Sequence, residues 1–382
     1  SIDLVGHSMG GNVDMMYAGV RPERIRRLVN LEGFGMPATQ TSQAPTRMAQ
    51  WLDELKAQRA GSNDHCTVTI SCQHSPMTSA NKEPYEEFGL FHENIAEYGL
   101  AVSPQPLVTR IEFELEDARR VSALRWGAAP PKIVFVHGSA QNAHTWDTVC
   151  LALGEPALAI DLPGHGHSSW RDDGDYSPRS LALDIALIIE KFAPTASLVC
   201  GMSLGGLTTL ALAYQRPDLV SRLMMIDITP GVTPEKAKSI TDFVNGPQSF
   251  ASFDELIART LEHNPNRSRT SLRRGILHNA RQLDDLSWEW RYDRRSHPRR
   301  DPGTSVAAGM WDMIERLACP LTMVRGGVSP VVDDADVAEL MRRKPDAVVH
   351  VVDGAGHSVQ GDRPIELAAL VRHDSAGSRS FT

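Results

Sequence analysis

The stretch Ser197 to Gly206 (SLVCGMSLGG) constrains the fold of this chain more than any other. An apolar run, Leu198-Val199-Cys200, leads into Gly201-x-Ser203-x-Gly205. Beyond it, Leu207 to Tyr214 (LTTLALAY) reads as a helix. Strand, Gly-x-Ser-x-Gly and helix in that order form the pattern of a nucleophile elbow, a tight turn that holds a serine hydroxyl at a strand tip. Gly201 and Gly205 leave room where strand and helix approach closely. A solvated serine in a Gly-rich turn is the plain alternative, and the apolar flanks argue against it.

The start of the chain repeats this pattern. Ile2-Asp3-Leu4-Val5-Gly6-His7-Ser8-Met9-Gly10-Gly11 is a second elbow, with Ser8 lying 195 positions before Ser203. At the same offset Arg21-Pro22 falls on Arg216-Pro217, and Glu32 falls on Asp227. The likeness fades near Gln58, with no strand–His-Gly loop before it and no His-bearing strand after it. Residues 1–60 are therefore expected to be a partial strand–elbow–helix–strand unit, with Ser8 inert. Residues 61–100 are polar and aperiodic and read as a poorly structured linker, in which Met77 would be the original start of the second unit.

A chain of 382 residues has room for one large or two ordinary domains. Its net charge is -8 and its basic residues form no long run, which disfavours a nucleic-acid partner. Five cysteines in no metal-type spacing read as reduced thiols, hence a cytoplasmic setting. No signal peptide is visible, and no stretch is apolar enough for a membrane span.

From residue 101 the pattern alternates. Arg110–Glu116 and Val121–Trp126 read as paired strands. Lys132–Val136 and Ala157–Asp161 read as buried strands, and Leu198–Cys200, Leu223–Asp227, Leu321–Arg325 and Val348–Val352 as further strands, with helices at Leu181–Phe192 and Asp334–Arg342. This predicts an α/β fold: a mostly parallel sheet with helices on both faces and a helical cap before the last two strands. The core would span 101–231 and 311–382, and the cap 232–310, with Phe253–His263 and Ser271–Leu283 helical. Trp288, Trp290 and Trp311 would line the cap for an apolar acyl or aromatic group, or else form its core.

Four motifs then fall in order: a strand ending in His137-Gly138, Asp161-x-Pro163-Gly164-His165-Gly166, Gly201-x-Ser203-x-Gly205 and Gly354-x-Gly356-His357. Over roughly residues 100 to 370 the chain resembles the α/β-hydrolase fold superfamily, in its capped serine-esterase and carbon–carbon-hydrolase branch. A serine hydroxyl needs only an adjacent base to attack a carbonyl, so Ser203 is the candidate nucleophile and His357 the candidate base. The amide of Leu204 is one oxyanion donor, and the resemblance points to Ser139 for the other. His137, His165 and His167 are assigned structural or substrate-lining roles.

The acid is less sharply marked. Relatives place an Asp after the next-to-last strand, where this chain has Ser329. Asp227, at the tip of the strand after the elbow helix, is the leading candidate. Asp333 and Asp334 are the alternatives, though both suit a helix N-cap. No Cys/His cluster has metal-ligand spacing and no Gly-x-Gly-x-x-Gly seats a pyrophosphate, so neither metal nor cofactor is expected. The expected function is hydrolysis of a small-molecule carboxylic ester through an acyl-enzyme on Ser203. The alternatives are a carbon–carbon bond hydrolase of meta-cleavage type and a non-catalytic binding protein.

Overall fold

The computed structural model describes strands 2–7 and 25–31, Lys82, and residues 85–377 apart from 103, 105, 265–266 and 297–305. The chain divides into two compact units, Ser1–Ser79 and Ala80–Thr382. In the first, β1 (Ile2–His7) and β2 (Ile25–Leu31) pair in parallel. Parallel neighbours need a crossover connection, as the repeat implies. The connecting residues, Ser8 among them, lie outside the described residues, as do Glu32, Cys66, Cys72 and Met77.

The second unit starts earlier than expected. The segment read as linker over 61–100 contains α1 (Phe91–Tyr98). Phe91 is buried against Trp126, ring centroids 5.1 Å apart, and Glu87 pairs with Arg110. Two helical turns carry too little periodicity to be read from sequence, and long-range anchors hold them.

Next come β3 (Val108–Glu114), β4 (Arg120–Trp126), β5 (Ile133–Val136), α2 (Asp147–Leu153), β6 (Ala157–Asp161), α3 (Pro178–Phe192), β7 (Leu198–Met202), α4 (Leu204–Gln215) and β8 (Leu223–Ile226). The cap contributes α5 (Lys238–Val244), β9 (Ser249–Phe250), α6 (Phe253–His263), α7 (Arg269–Asn279), β10 (Ala280–Gln282) and β11 (Trp288–Trp290). The core resumes with α8 (Val306–Glu315), β12 (Leu321–Gly326), α9 (Asp334–Arg343), β13 (Val348–Val352), α10 (Val359–Asp362) and α11 (Pro364–Ser375).

The main sheet runs β3-β4-β6-β5-β7-β8-β12-β13, parallel from β6 to β13, with β3 and β4 antiparallel at one edge. Every residue of β5 to β8 is buried. Alternate side chains enter different clusters: Val134, Val136, Leu158 and Ile160 pack on one face, Ile133, Phe135, Ala157 and Ala159 on the other. Both faces are covered, so the strands read as continuous apolar runs rather than alternating ones.

The cap is not wholly helical, and the expected helix to Leu283 ends at Asn279. There the chain turns into a small antiparallel sheet, β10-β11-β9. Cross-strand aromatic contacts decide this, with Trp290 meeting Phe250 edge-on at 5.8 Å. Trp288 and Trp290 are buried in the cap cluster, whereas Trp311 belongs to the main core.

Candidate active site

Strand β7 delivers Ser203 to the sheet's carboxyl end, directly before α4. Its backbone is left-handed, φ 52° and ψ -119°, a conformation that non-glycine residues hold only where the surroundings enforce it. The enforcing contact is tight: a Cβ on Gly205 would lie 2.2 Å from the carbonyl oxygen of Val136, and one on Gly201 2.4 Å from that of Gly205. The helix begins at Leu204, three residues earlier than expected, so the amide of Leu204 is one of the helix's unpaired N-terminal donors. Ser139 follows Gly138, whose absent Cβ would stand 3.1 Å from Ser203 Cβ. Ser139 and Ser203 line one cavity of about 380 Å³ between the strand tips and the cap.

On the same cavity wall lies His357, in the loop after β13. Its Nδ1 is 2.8 Å from Asp227 Oδ2, and its Nε2 is buried with no hydrogen-bond partner. Asp227 is fully buried and left-handed, φ 48°. Its Oδ1 accepts the amide of Gly326 at 2.8 Å, and Oδ2 also accepts the Ser329 hydroxyl. A Cβ on Gly326 would fall 2.2 Å from the Gly356 carbonyl, so only glycine lets the His357 loop lie against the end of β12.

The structure therefore brings Ser203, His357, Asp227, Ser139 and Leu204 to one sheet end, and it does not bring Asp333 or Asp334 there. Asp333 is the N-cap of α9, accepting the amide of Asp336 at 3.0 Å within a capping box, and it pairs with Lys236 at 2.8 Å. Asp334 points to solvent, its side chain 97% exposed, and pairs with Arg325. Helix-start chemistry claims both carboxylates.

His137 is buried and serves as a brace. Its Nε2 accepts the amide of Leu162 at 2.9 Å while Nδ1 donates to the Gly138 carbonyl at 2.7 Å. Burial pushes its pKa down. His165 packs edge-on against it, ring centroids 5.2 Å apart. His167 is pushed down to about 4, first by burial and then by the Arg110 charge. Asp161 accepts the Arg110 guanidinium at 2.7 Å and the amides of Ala143 and His167, which fixes the two loops beside the cavity.

Several residues at the site gave no sequence signal. Gln141 accepts from Gly138 N and from Gln360 Nε2, both at 3.3 Å, linking the Ser139 loop to the helix after His357. Asn279, at the end of cap helix α7, donates to the Ala140 carbonyl at 2.6 Å. Buried His144, Asp147 and His278 join the half-buried Tyr85 and Glu87 in a hydrogen-bonded group near α1, α2 and α7, and the three buried residues also line the cavity. Their separation along the chain hides them from motif spacing. Ser329 alone had a signal, since it occupies the place where an acid was expected. Cys150, Cys200 and Cys319 are free thiols, as expected of them.

A sequence profile of the alpha/beta hydrolase family matches residues 133–370. The chain is 45% identical to the esterase Rv0045c of Mycobacterium tuberculosis over 294 residues, covering 75% of this chain and 95% of that one. A structure of that esterase, refined in a study of its inhibition by transition metals, superposes with a TM-score of 0.68 at 44% identity, covering 76% of this chain and 98% of that one. The 3-hydroxybutyrate-oligomer hydrolase of Cupriavidus necator is 28% identical over 266 residues, covering 65% of this chain and 90% of that one.

Proposed function

The chain belongs to the alpha/beta hydrolase family, and on that premise we propose that it is an esterase whose nucleophile is Ser203. The observation that carries the reading is the His357–Asp227 hydrogen bond of 2.8 Å, on the cavity wall that also bears Ser203. Asp227 fixes the tautomer with the proton on Nδ1, which leaves the Nε2 lone pair to accept the hydroxyl proton of Ser203. Oγ attacks the ester carbonyl, and the amides of Leu204 and Ser139 take up the charge that develops on oxygen. The tetrahedral species collapses, His357 protonates the leaving alcohol, and the same imidazole then activates the water that releases the acid. Ester chemistry is favoured over carbon–carbon cleavage by the relatives, among them an esterase and an oligomer hydrolase.

The cavity also bears on the substrate class. Ile240, Phe243 and Leu272 line it together with Asn94, Arg267 and Gln360. An ester with one apolar and one polar branch fits this division better than the uniformly apolar acyl group expected from the cap tryptophans. No helix among the described residues is long and apolar enough to cross a membrane. A cytoplasmic location remains our reading from cysteine usage.

The test is hydrolysis of a p-nitrophenyl ester together with labelling by a fluorophosphonate. Activity is expected, lost in Ser203→Ala, with the label on the peptide containing Ser203. A label on the Ser8 peptide, or activity persisting in Ser203→Ala, overturns the proposal.

A further inference from the structure

We propose that Arg267 is a specificity-determining residue, and that the ester this chain hydrolyses carries a carboxylate at the end of its polar branch. The inference rests on the esterase reading and adds a substrate class to it.

The position of Arg267 follows from the cap helix. Arg267 precedes Ser268, the N-cap of α7, and Ser271, Arg274 and His278 follow it at intervals of four, three and four residues. That spacing keeps to one helix face. All four side chains line the cavity, so the face of the cap turned to the substrate is polar and carries two guanidinium groups. Other arginines of this segment are matched to carboxylates. Arg269 pairs with Asp254 at 3.1 Å, Arg273 with Glu93 at 3.4 Å, and Arg274 with Glu97. Arg267 forms no ion pair among the described residues. Its Nη2 donates to the Ser271 hydroxyl at 2.8 Å, and its Nε is buried with no hydrogen-bond partner. A donor left so is costly unless a ligand satisfies it.

A second observation fixes where the group lies. A Cβ on Gly361 would stand 3.0 Å from Arg267 Cζ, 3.0 Å from Nη1 and 3.1 Å from Nη2. Nearly equal distances mean that the guanidinium faces Gly361 flat. Its N–H groups lie in its own plane and therefore run along the cavity wall. Gly361 belongs to α10, which opens two residues after His357. The cap thus touches the loop of the proposed base through Arg267.

Charge then selects the ligand. Burial works against the guanidinium and pulls its pKa down, although an arginine stays charged. Asp362 and Glu97 act on it through space, and both are engaged elsewhere. Asp362 Oδ2 accepts the Gly356 amide at 2.9 Å, while Glu97 takes the Arg274 guanidinium and the Ser268 hydroxyl. A planar fork with free donors and no direct counter-ion takes a carboxylate. The two nearby acids weigh against a dianion such as a phosphate monoester. The competing account is an arginine that only braces the cap against α10, its charge balanced at a distance by Asp362 and Glu97.

Matched esters separate the two accounts. Monomethyl glutarate, adipate and suberate carry the carboxylate on the acyl side, and methyl pentanoate, hexanoate and octanoate are their neutral partners. On the alcohol side, 4-acetyloxybutanoate is compared with butyl acetate. Hydrolysis by the whole protein is followed in a pH-stat. On one of the two sides, the best acid ester should exceed its neutral partner in kcat/KM at least about tenfold, the scale of a hydrogen bond to a charged group. Arg267→Gln should lower that ratio at least about tenfold, chiefly through KM, and Arg267→Lys, which keeps the charge without the fork, should lie between. Arg269→Gln, altered on the solvent side of the same helix, should keep the parent's ratio. No preference for any acid ester in the parent overturns the proposal, and Ser203-dependent hydrolysis of the neutral esters would then leave the esterase reading standing. An unchanged ratio in folded Arg267→Gln, or an equal fall in Arg269→Gln, also overturns it. Should Arg267→Gln fail to fold, Arg267→Lys takes its place in that comparison. Should no ester be hydrolysed, calorimetric binding of the same pairs to Ser203→Ala decides: an acid ester bound at least about tenfold more tightly supports the site, and equal binding overturns it.

Discussion

Replacing Asp227 by Asn tests the proposed triad most sharply, because the structure dictates how the amide must sit. Gly326 N–H is a fixed backbone donor, 2.8 Å from Oδ1, so the amide oxygen of Asn must face it. The NH₂ group then occupies the place of Oδ2, opposite Ser329 Oγ and His357 Nδ1. Ser329 can rotate its hydroxyl and accept. His357 cannot keep its Nδ1 proton against a donor, so it changes tautomer and presents Nε2–H to Ser203. The base then has no lone pair where the reaction needs one. In a related triad this change costs about 10⁴ in turnover, equivalent to roughly 5.4 kcal/mol of barrier at 1.36 kcal/mol per decade. We expect kcat to fall at least about a hundredfold, with KM nearly unchanged. Steady-state hydrolysis of a p-nitrophenyl ester measures both, and circular dichroism shows whether the variant is folded. A folded Asp227→Asn enzyme within tenfold of the parent refutes the reasoning. The same assay on Asp333→Asn and Asp334→Asn should show losses below about tenfold, since both side chains serve the start of α9.

Ser8→Ala should leave ester hydrolysis nearly unchanged, and a chain beginning at Met77 should fold and keep activity, because the second unit holds the whole eight-stranded sheet; an insoluble or inactive shortened protein would place part of residues 1–60 in the working domain. Gly205→Ala should lower Tm by several degrees and abolish activity, since its methyl meets the Val136 carbonyl at 2.2 Å and backbone cannot yield cheaply; an active variant of unchanged Tm would contradict the packing. Stability should also decline on acidification through His167. Its folded pKa of about 4 lies below the unfolded value near 6.5, so its contribution is complete above that value and is lost as pH falls toward 4. Urea midpoints between pH 7 and 4 should therefore fall less steeply in His167→Gln, and parallel curves would count against this.

What was legible in the sequence follows the range of the forces involved. Buried parallel strands announce themselves because both faces are apolar, and Ala157–Asp161 falls where it was expected; so does the half-exposed edge strand Val348–Val352. Helix α6 was legible to the residue, since Ser252 caps it locally by accepting the Glu255 amide. The cap sheet was not, because β9 and β10 are two and three residues long and exist through contacts with Trp288 and Trp290. Helix α1 was lost for the same reason. The cluster at His144 and His278 is the extreme case: its partners lie on either side of the elbow, and only the docking of the cap on the core makes them neighbours.

The position of the proposed acid follows from strand order. Strand β8 lies between β7 and β12, so a residue just past its tip is flanked by Ser203 on one side and by the Gly326 turn on the other. A carboxylate there meets the histidine loop while one of its oxygens takes the Gly326 amide. The usual acid position after β12 is occupied by Ser329, and a second carboxylate at that point would crowd Asp227 with like charge. A hydroxyl instead donates to Asp227 and helps to hold the carboxylate in place. Ser329→Asp should therefore be more damaging than Ser329→Ala, which removes one donor of three and should cost roughly tenfold in kcat. Should Ser329→Asp instead rescue Asp227→Asn to within tenfold of the parent, either strand tip can carry the acid, and Asp227 would lose its exclusive claim to that role.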